Sequence, residues 1–417
     1  MLRRARRGKL AVLSGAGVLQ AAANAIAALI ATQALGPGER GLMVLGLTIS
    51  SVFGLLGGLG SGIAFRAALP AAKGRSARRG LVSSFTWCSI AGAVLAAAGA
   101  TAATAASAAW IDPALGSGPY LTATASFTVS QALMAQIPDA WFADGRFSRG
   151  GLAAAAMSTG GLGGVFVALI FSHSAATVLQ AQALGIAAVG LLEITGLRRA
   201  GLVGLARPVA ARLRSLLERG LPALGLTVGL TVVLRADRYL LGAMSGTTAV
   251  GIYSLSATLS EVSRILPASL GQLYLRDAST GQAAARLSPT VHRAVLAALA
   301  SGLVVAVGGW FLIVPVFGAE FAPARDLLFV LAAAEVCLAP YAVASRGLLG
   351  GGWTRAAGAL GIGGGLAAIA VYGFSAAAAG AAGVAAGSLV VYAGLSAASV
   401  GLLRRRVFAR PEKVGNG

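Results

Sequence analysis

Three charged residues lie close together within one long apolar segment of the chain. Arg235, Asp237 and Arg238 stand inside the run 220–243, and residues i and i+3 of an α-helix are neighbours, about 5–6 Å apart. Arg235 and Arg238 therefore repel each other unless an anion lies near them, and Asp237 neutralises only one of them. Because Arg can bind a phosphate through two N–H groups, this arrangement suits a diphosphate or an acidic sugar. The structural alternative is that the Arg residues lock this helix to another one.

Three more charged residues lie in two later apolar runs. Glu261 and Arg264, again at i and i+3, occupy the run 247–274, and Glu335 lies in the run 325–346. Glu261 and Arg264 can neutralise each other, or Arg264 can contact a substrate. Glu335 can be protonated, pair with an Arg of another helix, or bind a coupling H⁺ or Na⁺. A charge at the centre of a bilayer costs about 2.5–3.5 kcal/mol, so each retained one is a candidate functional residue.

The composition identifies the class of protein that holds these charges. Of 417 residues, 57% are hydrophobic and 11% are charged, against roughly 45–50% and 25% in soluble domains. This excludes a soluble enzyme and indicates an all-α membrane protein. Two Cys and two His exclude a disulfide framework and argue against a metal site. The chain has no G-x-x-x-x-G-K-[ST] motif, and we expect no cofactor, no metal and no enzymatic activity.

About twelve apolar runs are each long enough to cross a hydrocarbon core of about 30 Å at 1.5 Å per residue. They lie near 10–34, 41–65, 81–107, 118–142, 150–171, 175–197, 220–243, 247–274, 291–316, 325–346, 356–376 and 379–403. Basic residues between the runs fall almost entirely in every second gap, whereas the alternate gaps hold only Arg40 and Arg325. The positive-inside rule then predicts an even number of spans and two cytoplasmic termini.

The net charge of +20 is therefore a signal of membrane topology. Basic residues near the membrane surface also attract anionic lipid headgroups, so membrane lipids are expected partners. Nucleic acid is not an expected partner, because the basic residues cluster in short gaps between spans.

The two halves of the chain carry a weak internal repeat with an offset of 210 residues. Gly36, Gly41, Leu45, Thr48, Ser50, Val52 and Pro113 fall on Gly246, Gly251, Leu255, Thr258, Ser260, Val262 and Pro323. A parallel repeat predicts two six-helix lobes related by a pseudo-two-fold axis along the membrane normal. The predicted domains are an N-terminal lobe 1–197, a basic cytoplasmic linker 198–219, a C-terminal lobe 220–405 and a cytoplasmic tail 406–417.

Three segments resemble those of Wzx-type oligosaccharide flippases, in the multidrug/oligosaccharidyl-lipid/polysaccharide (MOP) exporter superfamily. Residues 31–70 contain an L-G-P-x-x-x-G turn, an apolar helix and a Gly-containing end that leads to Arg66. Residues 235–267 are similar to the family's D-R-x-x-L-G and G-x-Y-S-x-A pattern. Residues 315–328 resemble its F-G-x-x-F-x-x-A segment.

The resemblance implies a transporter that flips polyprenyl-diphosphate-linked oligosaccharide from the inner to the outer leaflet of the bacterial cytoplasmic membrane by alternating access. Its lipid-linked cargo and other proteins of cell-surface polysaccharide biosynthesis are the implied partners. The predicted anion-binding residues are Arg235, Arg238, Arg264 and Arg66, and the predicted charge partners or ion-coupling residues are Asp237, Glu261 and Glu335. Arg66 also fits a topology signal alone.

Two alternatives stay open from the residues. A cation-coupled multidrug (MATE-like) exporter is the first, because the intramembrane set holds three Arg against three carboxylates and charge alone does not decide. A membrane-embedded polymerase or transferase of the same pathway is the second. The short outer links argue against it, because such enzymes usually carry a large extracytoplasmic loop.

Overall fold

The computed structural model describes an all-helical protein. It covers the backbone of residues 2–280 and 282–408, and the side chains of 15–221, 224–280 and 282–407. Over these residues the chain has no β-strand. It divides into two compact units. The first holds the residues up to Leu224 together with Gly246–Gly251, and the second holds Gly225–Ser245 and the residues from Ile252 onward.

Six helices and the start of a seventh build the first unit. They are α1 (Leu2–Gly57), α2 (Ser61–Ala71), α3 (Arg75–Ser107), α4 (Gly118–Ala143), α5 (Phe147–Phe171), α6 (Ala175–Arg199) and the first part of α7 (Ala210–Ser260). A 3₁₀ turn, Pro113–Gly116, links α3 to α4. Because α7 already begins at Ala210, the second half of the predicted linker 198–219 is helical.

The second unit continues from α7 through four more helices. They are α8 (Ile265–Ser279), α9 (Ala283–Phe317), α10 (Ala324–Gly350) and α11 (Thr354–Phe408). A 3₁₀ turn, Glu261–Arg264, joins α7 to α8, and a second, Ala319–Phe321, joins α9 to α10. Residues 409–417 of the predicted tail lie outside the described part of the chain.

Three of the long helices contain a backbone break. The breaks fall at Gly36 in α1, at Gly246 in α7 and at Ala379–Gly380 in α11. Two contacts show that the chain reverses at the last two breaks. The Tyr253 hydroxyl reaches the Asp237 carboxylate, and a Cβ atom added to Gly387 would lie 3.3 Å from Val371 Cγ1.

Counted by length and composition alone, seven described helices could cross a membrane, or up to eight if the bent pair 210–221 and 224–279 forms one span. Several of these cover two predicted runs, because the helix continues through a break. The parts of α1, α7 and α11 on either side of each break count as separate segments. Each predicted apolar run then coincides with one segment or with two consecutive short ones. The protein is therefore a multi-pass membrane protein with about twelve helical segments.

The backbone confirms the repeat of the Gly-containing turn. Gly36 has φ 68° and ψ 172°, and Gly246 has φ 79° and ψ 176°. These values lie in a region that residues with a Cβ atom avoid, so glycine ends one helix at each position. Pro37 follows the first turn, where its fixed φ and missing N–H suit the first position of a new helix.

The two copies of this turn also pack against each other within the first unit. A Cβ atom on Gly41 would lie 1.8 Å from the carbonyl oxygen of Thr247, and one on Gly251 would lie 1.9 Å from that of Pro37. Residues 37 and 41 shifted by 210 are 247 and 251, so each copy presents the same two positions to the other. Such reciprocity is typical of a contact between two-fold-related elements.

Candidate functional site

Six of the seven predicted site residues lie in the second unit. Arg235, Asp237 and Arg238 are on α7, and Glu335 is on α10. The remaining two form the ends of the 3₁₀ turn Glu261–Arg264, which interrupts the predicted run 247–274 between α7 and α8. The interruption brings two charged side chains toward α7 and α10.

The carboxylate of Glu261 is shared by two Arg side chains of α7. Arg238 Nη2 donates a hydrogen bond of 2.6 Å to Glu261 Oε1, and Arg235 Nη1 lies 3.7 Å from the same oxygen. The Arg238 side chain is 5% exposed, whereas that of Arg235 is 35% exposed. One carboxylate therefore serves two cations, and Arg235 keeps most of its N–H groups available.

Asp237 has different partners from those expected. Its carboxylate accepts a hydrogen bond of 2.9 Å from the Tyr253 hydroxyl and one of 2.8 Å from the backbone N–H of Arg238. Among the described residues, no Arg side chain lies within 4 Å of it. The expectation that Asp237 neutralises one Arg of α7 is wrong, because Glu261 takes that role from the neighbouring turn.

Arg264 and Glu335 form a two-pronged ion pair. Arg264 Nε donates to Glu335 Oε2 at 2.9 Å, and Arg264 Nη2 donates to Glu335 Oε1. The Arg264 side chain is 23% exposed and that of Glu335 is 4% exposed. Of the three roles open to Glu335, the structure shows pairing with an Arg of another element. Glu261 and Arg264 do not pair with each other, because each has a partner on a different helix.

Arg66 lies in the first unit, apart from the other six residues in sequence. Its guanidinium pairs with the Asp139 carboxylate and stacks over the Phe142 ring, 4.6 Å from the centroid. The Arg66 side chain is 44% exposed. Asp139 is not among the residues predicted for the site. It lies in the run 118–142, so the rule that selected Glu335 also applies to it.

Tyr253 and Ser388 were missed as well. Tyr253 is fully buried, and its hydroxyl lies 3.3 Å from the Ser388 hydroxyl in addition to its bond with Asp237. Tyr253 is the Tyr of the G-x-Y-S pattern that begins at Gly251. That pattern was the available signal for it.

The arrangement of this cluster is chemically capable of binding an anion and of exchanging a proton or a small cation. The partly exposed Arg235 guanidinium can hold an anion, and the buried Asp237 carboxyl, bonded to a phenol and a backbone amide, can gain or lose a proton or a small cation. Within the described side chains, no group of three or more His, Cys, Asp and Glu is arranged to hold a metal ion.

No family model matches the chain, and no curated protein matches it. Its fold matches solved transporter structures over almost its whole length. A multidrug resistance MATE family transporter of the MOP superfamily gives a TM-score of 0.76 inward-facing, covering 93% of this chain and 95% of that one at 14% identity. An outward-facing structure of a transporter with the same description gives a TM-score of 0.67. It covers 96% of this chain and 95% of that one, also at 14% identity.

The lipid II flippase MurJ in an inward closed conformation gives a TM-score of 0.69 at 14% identity, covering 93% of this chain and 87% of that one. The protein therefore has the two-lobed helical fold of MATE transporters and MurJ. The similar structures are all transporters. At 14% sequence identity, the likeness concerns the fold alone.

Proposed function

We propose that this protein flips a polyprenyl-diphosphate-linked oligosaccharide from the inner to the outer leaflet by alternating access, for assembly of a cell-surface polysaccharide. It would act in the bacterial cytoplasmic membrane with both termini in the cytoplasm, as the distribution of basic residues indicates. The observation that carries the proposal is the position of Arg235. This residue lies in a membrane-spanning helix, is 35% exposed, and shares its carboxylate partner with Arg238.

The charge balance around Arg235 favours an anionic ligand. Arg235, Arg238 and Glu261 together carry one net positive charge when all three are ionised, and the set with Asp237 stays positive when that buried carboxyl, which is bonded to Tyr253 and a backbone N–H, holds a proton. In a medium of low dielectric constant, a guanidinium with free N–H groups is stabilised most by an oxyanion that accepts two hydrogen bonds from it, such as a diphosphate. Arg238 is nearly buried and already bonded to Glu261, so Arg235 would contact the ligand and Arg238 would keep the site positive.

The other two predicted anion-binding residues enter this proposal differently. Arg264 is held by two hydrogen bonds to Glu335, which leaves it fewer free N–H groups than Arg235 has. Arg66 pairs with Asp139 beside a gap that the distribution of basic residues assigns to the cytoplasm, and there a lipid diphosphate of the inner leaflet would exchange with the carboxylate. We therefore propose Arg235 as the main contact, Arg66 as an entry contact and Arg264 as a positioning residue.

A cation-coupled multidrug exporter is the second candidate, and Asp237 is the observation that favours it. Its carboxylate is 3% exposed and has no Arg partner within 4 Å among the described residues, so it can bind a proton or a small cation during a transport cycle. The MATE structures that resemble this fold also support this candidate. A coupling ion at Asp237 is compatible with either cargo.

The first experiment is deletion of the gene, followed by mass spectrometry of the extracted polyprenyl-linked glycans and measurement of the surface polysaccharide. The proposal predicts loss of the polymer and accumulation of a lipid-diphosphate oligosaccharide, whose mass identifies the cargo. An unchanged lipid pool, together with altered resistance to cationic compounds, would reject the flippase and support the exporter.

The site is tested by complementing the deletion with variants of matched abundance. Arg235→Ala should reproduce the accumulation of the lipid-linked glycan. Arg214→Ala is the control, because Arg214 lies on the same helix, is 81% exposed and only forms a surface pair with Glu218. If Arg235→Ala restores the polymer as well as Arg214→Ala does, the assignment of Arg235 fails while the flippase itself can still stand.

A further inference from the structure

An apolar groove lies on the surface of the second unit, between α9 and α10. Its volume is about 250 Å³, and it is lined by Val307, Trp310, Phe311 and Phe329. All four side chains are more than one third exposed. The Trp310 and Phe329 rings have centroids 5.6 Å apart, so they form a common wall.

The position, volume and lining of the groove suit a hydrocarbon chain. Val307 lies ten residues before Phe317, the end of α9, which places it about 15 Å along the helix axis from that end at 1.5 Å per residue. The volume far exceeds the roughly 30 Å³ that one water molecule occupies in the liquid. The lining side chains are apolar apart from the indole N–H, so water gains few hydrogen bonds there and a chain of methylene groups fits better.

Arg325 supplies a cation beside this groove. Its guanidinium carbon lies 5.5 Å from the centroid of the Trp310 ring. Within the described residues, no carboxylate lies within 4 Å of this guanidinium, and its buried Nε has no hydrogen-bond partner. A phosphate oxygen is a suitable acceptor for such a guanidinium, because Arg binds phosphate through parallel N–H groups.

Two carboxylates near Arg325 in the sequence indicate which charge the lipid headgroup should carry. Glu320 belongs to the 3₁₀ turn before α10 and Asp326 follows Arg325 directly, and both are exposed. The three residues together carry one net negative charge. A lipid with a single anionic headgroup would be repelled by the two carboxylates, whereas a zwitterionic headgroup can place its phosphate on Arg325 and its ammonium toward a carboxylate.

We propose that this groove binds one zwitterionic phospholipid of the phosphatidylethanolamine class, with an acyl chain along Trp310 and Phe329 and the phosphate on Arg325. Arg325 belongs to a gap that the pattern of basic residues assigns to the non-cytoplasmic side, so the lipid comes from the outer leaflet. The site is separate from the charge cluster of Arg235 and does not depend on which cargo the transporter moves.

The test is native mass spectrometry of the full-length protein in detergent micelles, with phosphatidylethanolamine or phosphatidylglycerol of identical acyl chains added. Arg325→Gln should weaken retention of phosphatidylethanolamine about tenfold, because it removes a hydrogen bond to a charged group. Val307→Trp should abolish retention by filling the groove. The controls are Arg293→Gln, which changes an exposed Arg of α9, and Leu299→Trp, which changes an exposed apolar residue of α9 outside the groove.

The proposal is supported if phosphatidylethanolamine is retained over phosphatidylglycerol and only the two groove variants lose it. It is overturned if both lipids are retained equally, or if the groove variants retain phosphatidylethanolamine as the controls do. A dimer that Val307→Trp dissociates, with no lipid bound, would also overturn it and assign the groove to a second copy of the chain. Arg325→Gln removes a headgroup contact, whereas Val307→Trp fills the groove. If one of these variants misfolds, the other still tests the proposal.

Discussion

Removal of the buried Glu335 carboxylate should destabilise the second unit strongly. Glu335 is 4% exposed and holds Arg264 through two hydrogen bonds. In Glu335→Gln, the Arg264 cation stays in the protein interior without its counter-charge, and the loss of one partner of a buried ion pair costs about 3–5 kcal/mol. For a unit of this size each kcal/mol lowers the melting temperature by about 2–4 °C, so we expect a fall of roughly 6–20 °C.

The control and the double variant separate the pair from the general effect of a Glu→Gln change. Glu218→Gln breaks the exposed pair with Arg214, and exposed pairs contribute about 0–1 kcal/mol. Arg264→Gln with Glu335→Gln removes both charges and should be more stable than either single variant. The melting temperature of the purified protein in detergent is measured for the two single variants, the double variant and the Glu218→Gln control. Single variants whose effects simply add in the double variant would refute the pairing.

Two further predictions follow from other contacts. Tyr253→Phe removes a donor from the buried Asp237 carboxylate and should lower stability by about 1–3 kcal/mol, measured by the same melting assay; an unchanged melting temperature would show that the Tyr253 hydroxyl is not needed there. Gly41→Ala places a Cβ atom 1.8 Å from the Thr247 carbonyl oxygen and should open the contact between the two turns, at a cost of about 1–3 kcal/mol. The readout is faster maleimide labelling of Thr247→Cys, with Gly38→Ala, whose nearest neighbour is 3.9 Å away, as the control; equal labelling in both would contradict the contact.

The number and order of the helices could be predicted from the sequence because both depend on local properties. Run length sets whether a segment spans the membrane, and the alternation of basic residues reports the direction of each span. The turn at Gly36 and Gly246 was also predictable, because glycine has the conformational freedom that such a turn requires.

The partners of the charged residues could not be predicted, because they depend on how neighbouring helices rotate about their axes. The spacing of Glu261 and Arg264 favours a pair on one helix, but a 3₁₀ turn at that point directs them to different partners. Asp237 and Tyr253 meet only because the chain reverses at Gly246. A sequence repeat locates that reversal without giving the helix face on which each residue lies.

The repeat provides an internal comparison for the charge cluster. Shifted back by 210 residues, Arg235, Asp237 and Arg238 fall on Ala25, Ala27 and Ala28, whereas Glu261 and Arg264 fall on Ser51 and Gly54. These first-half residues lie on α1, whose Gly36 break has the same backbone conformation as that of α7 at Gly246. The first half therefore builds corresponding helices from small uncharged residues. Four of the five charges in the second half are ion-paired, so the cost of about 2.5–3.5 kcal/mol for an unpaired charge in a bilayer applies to Asp237, the residue proposed above to bind a proton or a small cation.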